Sequence, residues 1–161
     1  EMQRSLVGSE MCIRDSSMNS RDGERMAYAN SVWVLMDTKK GIPVRVTKEI
    51  SDAYGLDPQL PMQCSERKIM LPEKYEEKDS LVVPSYFIDT NHHMNNTRYV
   101  QVAMEYVPKE FRTMEVRVEY KKAAMCRDVI VPHVTIEDPR VTVALCAPDG
   151  QPYAVVVFLK A

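Results

Sequence analysis

The sequence has no C-x-x-C pair, no excess of basic charge and only three histidines. Each shortage removes a class of function. Its four cysteines, Cys12, Cys64, Cys126 and Cys146, lie far apart, which argues against a zinc site or a disulfide framework and points to a reducing cytoplasm. A formal net charge of -2 supplies no basic footprint, so no nucleic-acid partner is expected. No stretch approaches the roughly eighteen consecutive apolar residues of a spanning helix, so no membrane partner is expected either. The opening residues lack a charged flank followed by an unbroken apolar core, and no secretory signal is read there. No cofactor or metal motif stands out.

What is present describes a globular chain: 161 residues, 45% hydrophobic and 27% charged. That length suits one domain with room for part of another. The first sixteen residues, "EMQRSLVGSEMCIRDS", show no clear helical or strand period. Their core resembles a translated sequencing-adapter read-through, so residues 1–16 are expected to pack against nothing and to stand where an upstream part of the protein belongs.

After a D-G turn signal at 21–24, "RMAYANSVWVLMD" carries β-formers and reads as a strand, with "PVRV" as a short return. "TKEISDAYG" has helical spacing with Gly55 as its stop. Residues 56–80, rich in Pro and charge, read as a linker. "LVVPSYFI" then reads as a strand that Pro84 confines to an edge or bulge. Residues 96–107 form one helix, mostly buried, with Asn95 or Asn96 as N-cap and Pro108 as its stop. "MEVRVEYK" alternates cleanly, and "DVIVPHVTIED", "RVTVALCA" and "YAVVVFLKA" complete a run of antiparallel strands. One helix followed by such a run is an α+β solution, the hotdog fold, in which an antiparallel sheet wraps round a central helix. Residues 81–161 would be a complete hotdog domain and residues 17–55 the C-terminal remnant of a first.

Between strand and helix lies "DTNHHMNN", which holds two of the three histidines, His92 and His93. Thioester hydrolysis needs a base or nucleophile and donors for a developing oxyanion, and a helix N-terminus supplies unpaired N–H groups and a positive dipole end. Asp89 can act as base or nucleophile, and His93 can carry protons near neutral pH. Asn91 can hold a carbonyl oxygen, a water or an imidazole. Asn95 and Asn96 are read mainly as helix caps at the substrate end, His92 as a solvated neighbour and His133 as structural.

The residues match a family. "DTNHHMNNTRYVQVAMEYVP" resembles the D-x-N-x-H-[VM]-N-N-x-[KR]-Y-[VI] segment of acyl-ACP thioesterases. "ANSVWVLMDTKKGIPVRV" resembles the stretch closing the first hotdog domain of that family, and "VRVEYKKAAMCRDVI" resembles a strand and turn of its second. The resemblance implies hydrolysis of fatty acyl-ACP to free fatty acid and holo-ACP, with acylated carrier protein as partner and Asp89, Asn91 and His93 as the catalytic trio. Plant members carry a Glu-Cys pair where this sequence has Ala123 and Ala124. Cys126 lies two residues on with no warrant for a stabilised thiolate, so the mechanism reads as Asp/His-assisted attack by water. Lys121, Lys122 and Arg127 could steer an acidic carrier. The alternatives are a single-hotdog acyl-CoA thioesterase and a non-catalytic acyl-binding hotdog. The bared strand around Trp33 is expected to favour self-association, a homodimer included, and to leave turnover by the chain alone impaired.

Overall fold

The computed structural model describes residues 2–6, 11–53 and 68–160, in two units that divide between Ser65 and Glu66. In the first, β1 (Met2–Leu6), β2 (Met11–Asn19) and β3 (Arg25–Val34) form an antiparallel meander in that order. The β2–β3 ladder runs in register from Met11↔Val34 to Met18↔Ala27 and shifts between Met18 and Asn19. The expected D-G turn is formed, with Gly23 at φ +85° and its N–H donating to the Ser20 carbonyl at 3.1 Å. Such a φ suits a residue without Cβ. Asp15 is buried and accepts from the Asn30 side-chain amide at 2.7 Å. A short ribbon of β4 (Met36–Asp37) and β5 (Ile42–Pro43) follows, then α1 (Lys48–Asp52), capped by the Thr47 hydroxyl. Among the described residues no longer helix belongs to this unit, and Tyr28 and Trp33 stay half exposed. The unit is a partial hotdog.

The expectation that residues 1–16 pack against nothing is corrected here. Residues 2–6 and 11–16 are paired, Leu6 with Cys12 and Ser16 with Ala29 among them. The reason is that a sheet ladder is made by main-chain groups. β3 presents a row of donors and acceptors, and a proline-free extended segment satisfies them whatever its side-chain period. The pairing is indifferent to the adapter resemblance of that segment.

The second unit begins with β6 (Glu76–Glu77) and β7 (Leu81–Val82), then a 3-10 turn at Ser85–Phe87 and α2 (Asn96–Met104). β8 (Glu115–Tyr120), β9 (Val129–Glu137), β10 (Arg140–Cys146) and β11 (Pro152–Leu159) complete it. The antiparallel sheet has the order β6-β9-β10-β11-β8, with β7 also paired to β9. Val143, Leu145, Ala154, Val156 and Phe158 line the face that packs on Tyr99 and Ala103 of α2. On the opposite face Ala144, Cys146, Val155 and Val157 pack with Ile69. A sheet curled round one helix is the hotdog arrangement that the sequence pattern points to.

Three boundaries differ from expectation. The strand at "LVVPSYFI" stops at Val82, because Pro84 has no N–H to give a ladder and instead starts the 3-10 turn. The helix ends at Met104 rather than 107, and residues 105–107 continue in tighter bonds to the third residue back. Pro108 disfavours helical backbone at the residue before it. Only Tyr99 and Ala103 of the helix are fully buried, and Met104 is exposed. Finally, the described part of the expected linker 56–80 belongs to the second unit. Its Ile69 enters the outer cluster, Tyr75 stacks on His133 at 4.0 Å, and β6 pairs with β9. Its proline and charge content obscured these few anchoring residues, while residues 54–67, including Gly55, lie outside the described set.

Two outcomes follow from this architecture. Deleting residues 1–16 bares β3 and is expected to lower the thermal midpoint by several degrees, measured by calorimetry; an unchanged midpoint would show that the ladder adds nothing. The second concerns Glu119, which accepts from the Ile69 N–H at 2.8 Å and pairs with Lys121 at 2.8 Å. Burial raises its pKa, but the Lys121 and Ile69 hydrogen bonds outweigh burial and hold it below the ordinary 4.5. A carboxyl with a depressed folded pKa stabilises fully above its unfolded value and loses that contribution as pH falls through the folded value. Amide exchange at Ile69 should therefore quicken below about pH 4, and Glu119→Gln should remove that pH dependence.

Candidate active site at the entrance to the second-unit helix

The main chain brings the polar cluster to one place. Ile88 and Met94 form an isolated antiparallel bridge, so residues 89–93 are a closed loop between the 3-10 turn and α2. Inside it the Asp89 N–H donates to the His93 carbonyl at 2.9 Å and the His92 N–H donates to the Asp89 carbonyl at 3.0 Å. The Asp89 carboxylate accepts from the Asn91 N–H at 2.8 Å, an Asx turn that Asp forms readily. His92 takes the left-handed conformation, φ +63°, which turns the chain back. The loop is followed by Asn95, whose N–H donates to the Phe87 carbonyl at 2.9 Å and whose side-chain oxygen accepts from the Thr97 N–H at 2.9 Å.

This geometry decides between the two candidate caps. Asn95 is the N-cap of α2 and Asn96 its first helical residue. Asn95 takes the N–H groups of Thr97 and Arg98, the latter on its carbonyl at 2.9 Å. Among the described residues the Asn96 N–H has no partner. A first-turn N–H that caps do not use is free for an anionic oxygen.

Asp89 is half-buried in the wall of an open cleft of about 320 Å³, which Tyr86, Phe87, Ile88, Asn95, Thr97, Arg98 and Gln101 also line. Asn91, His92 and His93 are exposed on the loop. The structure thus joins Asp89 to His93 through a main-chain bond and to Asn91 through its carboxylate. Among the described residues no side-chain hydrogen bond links the Asp89 carboxylate to the imidazole of His93, and its second oxygen has no hydrogen-bond partner.

Beneath the loop lie groups that motif reasoning passes over. The Met94 N–H donates to the Ala124 carbonyl at 2.8 Å, and the Ala124 N–H donates to the Tyr99 hydroxyl oxygen at 2.8 Å. The Tyr120 hydroxyl donates to the Asn96 carbonyl at 3.0 Å, and its ring meets the Tyr99 ring edge-on at 5.7 Å. Burial pushes both phenols above the usual tyrosine value, so they remain protonated hydrogen-bonding groups near neutral pH. Tyr99 reads in sequence as one more apolar helix residue, and two adjacent alanines give no chemical signal at all.

Cys126 is exposed, and among the described residues no hydrogen bond joins it to the Asp89 loop. Cys146 is buried on the outer face, 3.7 Å from His133 Nδ1, and burial first, then Asp149, pushes its thiol up. It is held as a thiol. His133 also lies between the Tyr75 ring and Glu77, 3.7 Å from its carboxylate, where it anchors the segment before β7. Lys121 is paired with Glu119, and Lys122 lies 5.6 Å from the Tyr153 ring. Among the described residues no group of three or more His, Cys, Asp or Glu could hold a metal ion, and no helix is long and apolar enough to cross a membrane.

Comparison with known proteins gives this geometry its context. Residues 4–54 match the model of the acyl-ACP thioesterase N-terminal domain, and residues 71–143 match that of the acyl-ACP thioesterase C-terminal domain. The two matches are the halves of one family, in order, over most of the chain. The chain belongs to the acyl-ACP thioesterase family. It is similar to a chloroplastic acyl-[acyl-carrier-protein] hydrolase of Cuphea viscosissima, 30% identical over 131 residues, which cover 73% of this chain and 31% of that protein. It therefore spans about a third of that relative's length. A crystal structure of an acyl-ACP thioesterase from Bacteroides thetaiotaomicron superimposes with a TM-score of 0.84 at 18% identity, covering 98% of this chain and 66% of the other. The 12:0-ACP thioesterase of Umbellularia californica gives 0.80 at 17% identity, covering 98% and 63%. These likenesses establish the hotdog fold.

The cap assignment is open to measurement. Asn95→Ala is expected to destabilise the second unit by about 1 kcal/mol, the usual cost of an N-cap. Asn96→Ala, at an exposed helical position, should change stability by less than about 0.5 kcal/mol. Chemical denaturation checks both, and equal losses would contradict the assignment.

Proposed function

We propose that the protein hydrolyses fatty acyl-ACP thioesters to free fatty acid and holo-ACP, as a step of fatty acid synthesis. The observation that carries the reading is the open cleft of about 320 Å³ at the N-terminus of α2, with Asp89 among its lining residues. The names of the relatives support the substrate class, since the Cuphea protein is an acyl-[acyl-carrier-protein] hydrolase.

In this reading the thioester carbonyl lies over the start of α2. The Asn96 N–H and the positive end of the helix stabilise the oxyanion that forms as water attacks. Asp89 takes the water proton through its unengaged oxygen, and Asn91 holds the carbonyl or the water. His93, one turn of the loop away, returns a proton to the departing thiolate. Water adds to the acyl carbon, the C–S bond breaks, and acid and thiol leave. Cys126 takes no part. A reducing, cytoplasm-like compartment belongs to the same proposal, since Cys126 and Cys146 are both free thiols.

Asp89→Asn and His93→Ala are each expected to lower turnover of acyl-ACP by about 10²–10⁴, the range of a positioned acid or base, with the fold intact by circular dichroism. His92→Ala and Cys126→Ala should leave turnover within about twofold, since neither group has a role in these steps. A Cys126→Ala loss equal to that of His93→Ala would replace water attack by a thiol route. Faster hydrolysis of matched acyl-CoA would move the substrate class, and ligand retention without turnover would favour an acyl-binding role.

A further inference from the structure

We infer that Tyr99 is a positioning residue for the Asp89–His93 loop, acting through the main chain of Ala124. The inference rests on the reaction proposed above for what the loop does, and on geometry alone for how the loop is held.

The loop itself is short of anchors. Its internal bonds, Asp89 to His93, His92 to Asp89 and Asn91 to the Asp89 carboxylate, close it on itself and fix its shape. Shape alone does not fix its position against the sheet. Two main-chain bonds hold its C-terminal side, the Asn95 N–H to Phe87 and the Met94 N–H to Ala124. The first joins segments that flank the loop and move with it. The second reaches across to the segment between β8 and β9, thirty residues later in the chain, and gives the loop's end, whose Met94 side chain is buried in the core, its main-chain tie to that segment.

Ala124 is fully buried, and its peptide groups on both sides need partners. The carbonyl accepts from Met94, and the N–H donates to the Tyr99 hydroxyl. Tyr99 is itself 2% exposed, packed in the core, its ring edge-on to Tyr120. The order is thus a relay: the core fixes the Tyr99 ring, the hydroxyl fixes the Ala124 N–H, and the Ala124 carbonyl fixes Met94 at the loop's end. Tyr120 braces the same place from β8 through the Asn96 carbonyl. Removing the Tyr99 hydroxyl leaves a buried N–H without an acceptor. The cheapest relief is for the 121–128 segment to shift outward, and Met94 must follow or lose its own bond. A displacement of about 1 Å at a reacting group is enough to lower turnover by as much as about 10²-fold.

Tyr99→Phe tests this in the full chain, since it keeps the ring and deletes one oxygen. Ile130→Val, a fully buried position of the same core cluster, serves as a control that lightens the core while deleting none of the relay's hydrogen bonds. Hydrogen exchange followed by mass spectrometry is expected to quicken about tenfold over residues 88–96 and 121–128 in Tyr99→Phe, with β10 and β11 unchanged. Turnover of acyl-ACP should fall about ten- to a hundredfold with KM within about twofold. Ile130→Val should show neither local effect. Unchanged exchange at 88–96, uniform quickening across the sheet, or an equal loss of turnover in Ile130→Val would each overturn the inference. So would local loosening with full turnover. If the unaltered chain hydrolyses no acyl thioester, the proposed function fails on its own, and the exchange comparison still decides the relay.

Discussion

Burial of β10 and β11 on both faces constrains the rest of the second unit. Apart from Thr142 their buried residues are apolar on both faces, so neither side can face water. The inner set, Val143, Leu145, Ala154, Val156 and Phe158, needs the helix; the outer set, Ala144, Cys146, Val155 and Val157, needs Ile69. The helix must cross the inner face wherever the loop before it leaves off. That requirement fixes where its N-terminus, and with it the Asp89 loop, comes to rest.

The site is then a consequence of how polar main-chain groups are settled around that helix. Asn95 uses the first donors, and the bridge between Ile88 and Met94 closes the loop. The buried Ala124 peptides are shared between Met94 and Tyr99. Side chains suited to proton transfer stand on a scaffold whose bonds are nearly all main chain. This division leaves the Asn91 and His93 side chains and the second oxygen of Asp89 able to respond to a substrate, while the first Asp89 oxygen holds the Asn91 N–H.

The two units show the same sequence grammar with different results. In the second, the apolar inner faces of the strands meet a helix and become a core. In the first, the strand of Tyr28, Val32 and Trp33 has equally good β-formers, yet those side chains stay partly or half exposed. A β-former fixes that a strand forms and which way its side chains alternate. It does not supply the layer that would cover them.

Much of the second unit was legible in the residues themselves. Clean alternation located β8, apolar runs rich in β-formers located β9, β10 and β11, and the D-x-N-x-H run marked the candidate loop. These are local signals, set by a period of two residues and by residue type. The partners across the fold were not legible. Nothing in "AAMC" says that Ala124 bonds the end of the Asp89 loop, nothing in the spacing of Tyr99 says that its hydroxyl meets an N–H twenty-five residues away, and residues 11–16 gave no sign of the ladder they form with β3. Main-chain hydrogen bonding carries no side-chain signature, and long-range contacts depend on where layers meet. The sequence by itself determined the elements, their inward faces and the chemical identity of the loop. Only the tertiary structure decided which buried peptide each polar group answers, because that choice is made by the distance between segments and not by their composition.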